Sequence, residues 1–209
     1  LTLAPFHASR MPWVPIDKAG QVPLGMNPFC GAVASMPRDE TLALYTTSPD
    51  RGLERLLLDW PEIVAHHPGL RLLITYDVNR LGSSPLAGWL AHRAREVGAQ
   101  FTGPLPVATF NDLLSRARFN IHPINRIESD LFGYGSYRAW WAGVICVLNY
   151  YAGTSFADTV PEWVPYREFL RGDVTVRREK PPVPVLSWDE NVARYWQPLL
   201  GQPLLEVAA

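Results

Sequence analysis

Glu40 to Tyr76 reads ETLALYTTSPDRGLERLLLDWPEIVAHHPGLRLLITY, and three physical patterns follow one another inside it. Glu40 to Thr46 is a short apolar run of strand length. Ser48, Pro49 and Asp50 are residues that start helices. Leu53, Leu56, Leu57, Trp60 and Val64 then recur at helical spacing. Pro61 has no amide hydrogen and its ring crowds the preceding turn, so it is expected to divide this helix into two pieces. Arg71 to Tyr76 returns as a second strand-like run. Strand, helix, strand is the unit from which a parallel sheet is built.

The alternation extends downstream. Pro85 to Val97 reads as a helix stopped by Gly98, as a C-terminal glycine stops helices. Ala99 to Thr102 reads as a short strand, Val107 to Ala117 as a helix, and Phe119 to His122 as a strand ended by Pro123. Phe132 to Ala142 is a helix closed by Gly143, and Val144 to Leu148 is a continuous apolar strand. Strands that are apolar throughout need helices on both faces. The expected fold is α/β, a doubly wound, mostly parallel Rossmann-like sheet.

Both ends depart from this pattern. Residues 1–37 hold several prolines and one strand-like stretch, Gln21 to Leu24. Residues 159–186 are rich in proline and arginine, with a weak strand signal at Val174 to Val176. Ser187 with Glu190 three positions on is a capping-box pattern. Behind it Trp188, Val192, Tyr195, Trp196 and Leu199 form an apolar stripe that calls for a large partner surface. The chain is therefore expected to divide into a linker at 1–37, a Rossmann-like body at 38–186 and a terminal helix and tail at 187–209.

Composition narrows the function classes. The 209 residues carry a formal net charge of −1, with 47% hydrophobic and 19% charged residues. That near-neutral balance argues against broad nucleic-acid binding, which needs a basic footprint. No apolar run reaches the length of a membrane span, and residues 1–15 lack the features of a signal peptide. Two distant cysteines, Cys30 and Cys146, fit a reducing, cytoplasmic setting rather than a disulfide frame or a zinc site. The patterns of a P-loop, a nucleophile elbow and a His-x-x-x-His metal site are absent, as is Gly-x-Gly-x-x-Gly after the first strand.

In a doubly wound sheet, ligands bind beyond the carboxyl ends of the strands. After the first strand comes Thr46 to Leu53, TTSPDRGL, where Ser48 or Asp50 can cap the helix and Arg51 sits in its first turn. A cation there opposes the helix dipole, which makes sense if an anion shares the site. A solvent-facing Arg51 paired with Asp50 or Glu54 is the other reading. After the fourth strand comes Asn125 to Ser136, NRIESDLFGYGS. Gly133 and Gly135 would let backbone approach a ligand closely, the helix N-terminus would offer donors to a phosphate, and Glu128 and Asp130 lie near the same crevice. The other reading is an ordinary glycine-bearing loop capped by Asp130. His66 and His67 fall at a helix end, and His122 is more often a packed residue than a base.

These segments resemble the C-terminal, nucleotide-sugar-binding domain of retaining GT-B glycosyltransferases, the group 1 or family 4-like enzymes that include sucrose and glycogen synthases. SPDRGL followed by Trp-Pro-Glu-Ile is the most specific part. QVPLGMN (residues 21–27) is similar to that family's linker strand, and SWDENVARYWQPLLG to its final helix, which crosses back onto the N-terminal domain. The resemblance implies a UDP- or GDP-sugar donor, no metal and no further cofactor. It implies that Arg51, beside Gly52, holds the diphosphate, that Gly103 to Pro106 with Leu105 lies against the nucleobase, and that amides from Phe132 through Gly133, Tyr134 and Gly135 bind phosphate. The family's Glu-x7-Glu motif falls on Asp130 and Arg138. A shorter acid replaces the first glutamate and a cation the second, while Glu128 is two residues out of register. Catalysis would involve Arg51 and Asp130, with Glu128 and Arg138 at the substrate, once an acceptor-binding domain or partner chain is joined. The alternative is an inactive Rossmann-like module used as an interaction subunit.

Overall fold

The computed structural model describes residues 37–82, 84–124, 133–149, 160–178 and 187–200. The expected alternation is present. Strands β1 (Asp39–Tyr45), β2 (Arg71–Ile74), β3 (Gln100–Phe101), β4 (Ala117–His122) and β5 (Ile145–Leu148) alternate with helices α1 (Leu53–His66), α2 (Pro85–Glu96), α3 (Val107–Arg116) and α4 (Tyr134–Trp141). Beyond them lie β6 (Glu162–Pro165), α5 (Tyr166–Phe169) and β7 (Arg177–Arg178). The sheet runs β3-β2-β1-β4-β5-β6-β7, parallel except for the antiparallel β7. The order reverses between β1 and β4, the topological switch point of a Rossmann-type sheet.

Both faces are covered because the side chains of each strand alternate between them. In β1, Ala43 and Tyr45 join Leu53, Leu56, Leu57, Trp60 and Ile63 of α1 in one core. Leu42 and Leu44 point the other way, into a second core with Leu114 of α3, Tyr137 of α4 and Cys146 of β5. Among the described residues, no helix is long and apolar enough to cross a membrane.

Four expectations need correction. Pro61 does not divide α1, which runs unbroken through it. The carbonyl that an amide at position 61 would have engaged belongs to Leu57, and it accepts from Arg93 Nε of α2 at 3.3 Å. A side chain from the next helix thus replaces the donor that proline lacks. Neither Ser48 nor Asp50 caps α1: the Ser48 hydroxyl turns to the Asp50 carboxylate. Pro49–Arg51 instead forms a separate 3₁₀ turn, and α1 starts from Gly52 in the left-handed conformation. Arg51 therefore precedes the helix. Ala117 opens β4 instead of closing α3.

The fourth correction concerns residues 159–186. The strands there are Glu162–Pro165 and Arg177–Arg178, and Val174 to Val176 lies outside both. Four residues ending in proline carry little periodicity, and β6 is held by tertiary partners. It pairs with β5, and the α5 that follows is tied to α1. Tyr166 donates its hydroxyl to Asp59 at 2.9 Å, and His67 stacks on Phe169 at 4.2 Å between ring centroids. Burial, with Asp59 beside it, pushes the Tyr166 phenol well above its ordinary value.

At the far end, the Ser187–Glu190 capping box is present in both directions. The helix Trp188–Asn191 continues through a π turn, Val192–Trp196, into Gln197–Leu200. Trp188 and Val192 of the expected stripe are exposed.

Candidate functional site

At the carboxyl end of β1 the chain runs through Thr46, Thr47 and Ser48 into the Pro49–Arg51 turn. At the carboxyl end of β4 it runs through Pro123 and Ile124. These segments flank the switch point, and two glycines bring them together. Gly52 has φ 106°, and a Cβ there would overlap the Pro123 carbonyl oxygen and lie 2.7 Å from its carbonyl carbon. Gly135, the second residue of α4, sits over Thr46: a Cβ would stand 3.2 Å from Thr46 Oγ1 and 3.3 Å from its carbonyl oxygen. Backbone meets backbone at the first glycine and leaves little room at the second. The Arg51–Gly52 loop and the Gly133–Gly135 turn thus lie on one side of the molecule, on neighbouring strands.

The positive ends of two helices approach this place. α1 starts from Gly52 and α4 from Gly133, both left-handed glycines. A helix N-terminus carries roughly half a positive charge. Arg51 adds a full one and is partly buried.

Beneath the loops lies a layer of buried polar groups. Thr46 Oγ1 donates to Asn120 Oδ1 at 2.9 Å. His122 Nδ1 lies 3.2 Å from Ser136 Oγ of α4, and the Tyr45 hydroxyl donates to the Ser48 carbonyl at 2.7 Å. Tyr45 meets the His122 ring edge-on at 6.1 Å. Cys146 donates to the Ser136 carbonyl at 3.2 Å, and complete burial pushes its thiol far up. His122 is 2% exposed, so it is a packed residue. Sequence reasoning missed Thr46 and Asn120. The available signal was an asparagine inside a strand-like run, where asparagine is depleted.

Arg138 packs against α3. Its guanidinium stacks over the Phe110 ring at 4.7 Å and donates to Asn111 Oδ1. Both partners belong to α3, so this arginine fastens α4 to α3. Leu105 and the Gly103 turn (φ 71°) lie between β3 and α3, two strands from the switch point. Tyr134 opens α4 beside Gly135. Glu128, Asp130 and Phe132 lie outside the described residues.

Two clefts lined by described residues lie at the opposite, amino end of the sheet. The larger, of about 310 Å³, is bordered by His66, His67, Arg118 and Gly172. The smaller, of about 90 Å³, is bordered by Trp140, Ile145 and Glu162. Rossmann-type sheets bind ligands at the other end.

No protein-family model matches the chain, and no curated protein matches it. Solved structures do. A glycosyltransferase from Rickettsia africae superposes with a TM-score of 0.56 at 14% identity, over 70% of this chain and 42% of that one. WaaG, a glycosyltransferase involved in lipopolysaccharide biosynthesis, gives 0.54 at 15% identity, over 75% and 45%. The pneumococcal O-GlcNAc transferase GtfA, in complex with UDP and GlcNAc, gives 0.51 at 12% identity, over 78% and 33%. The chain spans less than half the length of each of these proteins. Its seven-stranded sheet has the α/β, Rossmann-like fold of the C-terminal-like domain of GT-B glycosyltransferases.

Proposed function

We propose that this chain is the donor-side half of a glycosyltransferase. It would hold a nucleoside-diphosphate sugar at the β1–β4 switch point for transfer to an acceptor bound by a second domain or a partner chain. The observation that carries the reading is the contact of the Arg51–Gly52 loop with the segment after β4 and of Thr46 with the first turn of α4. The Arg51 guanidinium and two helix N-termini would then face one place, where a diphosphate would meet three sources of positive potential.

In the step itself, the bond between the sugar's anomeric carbon and the diphosphate oxygen breaks, and negative charge collects on the departing diphosphate. Arg51 and the amides from Phe132 through Gly133, Tyr134 and Gly135 would stabilise that charge as it develops, so no metal ion is required. Asp130 and Glu128 would stand at the transferred sugar, which keeps its anomeric configuration. The Gly103–Pro106 loop, with Leu105, would lie against the base. Arg138, fastened to Phe110 and Asn111, would hold that loop's helix at a fixed distance from the phosphate grip. A UDP-sugar is the first donor to try, because GtfA, of similar fold, was solved with UDP.

Calorimetric titration with UDP and GDP tests the reading. Micromolar affinity is expected for one of them, and Arg51→Ala should weaken it at least about tenfold, or ~1.4 kcal/mol. Affinity no better than millimolar for both nucleotides, or an Arg51→Ala variant that binds as the wild type does, overturns it.

The second reading, a non-catalytic interaction module, rests on Trp188 and Val192, which are 43% and 40% exposed on the terminal helix. Silent titrations together with a partner lost on Trp188→Ala would favour it.

A further inference from the structure

Asn120 occupies a place that folding alone does not explain. It lies in β4, an interior strand, with Leu44 and Cys146 as its register partners on either side. The residue is 1% exposed. Its Oδ1 accepts from Thr46 Oγ1 at 2.9 Å, while its Nδ2 is buried with no hydrogen-bond partner among the described residues. A buried donor without a partner costs stability, and a leucine would suit the apolar neighbours better. Residues that break a local rule without a folding gain concentrate at functional places.

Thr46 is the other half of the pair. It is the first residue after β1, and its hydroxyl and carbonyl are the atoms that Gly135 approaches in the first turn of α4. Without Asn120, the Thr46 hydroxyl would be free to rotate beneath Gly135, where a Cβ would stand only 3.2 Å from it. Five residues on, the same loop reaches Arg51 and Gly52.

We propose that Asn120 and Thr46 form a positioning pair that sets the spacing between the Arg51 loop and the α4 N-terminus. The proposal rests on the donor-site reading above and deepens it. Asn120 acts through Thr46: its carbonyl fixes the hydroxyl rotamer, and Thr46 in turn fixes the height of α4's first turn over the crevice.

The experiment is UDP and GDP titration of the full chain, with thermal melts of each variant. Asn120→Leu and Thr46→Val should each raise the nucleotide Kd about tenfold, and the double variant should lose no more than either single one, because coupled residues are non-additive. Thr46→Ser, which keeps the hydroxyl, should bind within about twofold of wild type, and the Asn120→Leu/Thr46→Val double variant should melt at or above the wild-type temperature, because both partners of the buried bond become apolar. Variants that bind as the wild type does, losses that multiply to about a hundredfold in the double variant, or a lowered melting temperature of the double variant in step with the lost affinity overturn the pair. Should Asn120→Leu fail to fold, the contrast between Thr46→Val and Thr46→Ser decides alone. A wild-type chain that binds neither nucleotide removes the donor-site reading and this proposal together, whereas wild-type binding with unaltered variants removes only the pair.

Discussion

Gly52 joins two constraints that no other residue type satisfies together. Its φ of 106° is a region that L side chains rarely adopt, and a Cβ would enter the Pro123 carbonyl. A left-handed conformation alone costs a non-glycine residue about 1–2 kcal/mol. The overlap with backbone adds to this because a main-chain carbonyl cannot rotate away as a side chain can. Gly52→Ala should therefore destabilise the fold by roughly 3 kcal/mol, near the upper end for single substitutions. It should also weaken nucleotide binding, because the loop carrying Arg51 must move off the segment after β4. Urea unfolding measures the first effect, and a midpoint within error of wild type would refute the close approach. SPDRGL stood out in the sequence, but as a place for an arginine. The tight contact belongs to its glycine, and its partner, Pro123, lies 71 positions downstream, beyond any local pattern.

At the scale of elements, α1 shows how a neighbour can rescue a helix. An internal proline costs about 3 kcal/mol through its lost donor and its steric clash. Part of that loss is offset by Arg93 of α2, which donates to the Leu57 carbonyl at 3.3 Å. Arg93→Ala should thus cost about 1–3 kcal/mol, the range for a carbonyl deprived of its donor. With Pro61→Ala in the background, an amide hydrogen becomes available at position 61 and the same substitution should cost much less. A double-mutant cycle in urea reads the difference, and equal costs in both backgrounds would show that Arg93 does not stand in for the missing donor. Similar cross-element support holds the Arg38 side chain, which donates to the carbonyls of Ser115, Ala117 and Ala142 at 3.2, 2.8 and 2.6 Å. A cation at the carboxyl ends of α3 and α4 complements both dipoles.

Over the whole molecule, several carboxylates share one direction of pH dependence. The Thr41 hydroxyl, then its amide and Arg71, hold Asp39 below its ordinary range. The Thr175 side chain and amide do the same for Asp173, and the Ser187 amide and hydroxyl for Glu190. A carboxyl whose folded value is depressed lends stability that is complete above its unfolded value and is lost as pH falls through the folded one. The urea midpoint should therefore stay level from pH 7 to about 5 and decline below about 4. Asp39→Asn should make that decline shallower, and a variant with the full wild-type slope would exclude Asp39 from it. Five strands, four helices and a doubly covered parallel sheet could be read from the chain, because each rests on local spacing: apolar runs of strand length, 3.6-residue stripes, and glycines such as Gly98 and Gly143 that end helices. β6 could not, because Glu162–Pro165 is a strand only by virtue of pairing with β5 and the anchoring of α5 by Asp59 and His67. The site divided along the same line. Residue type and order alone placed Arg51 after β1, and Gly133 and Gly135 after β4. The meeting of their loops, the turning of Arg138 toward α3 and the tie between Asn120 and Thr46 were decided by tertiary structure, because each is a contact between side chains or backbone far apart in the chain, which spacing along it does not encode.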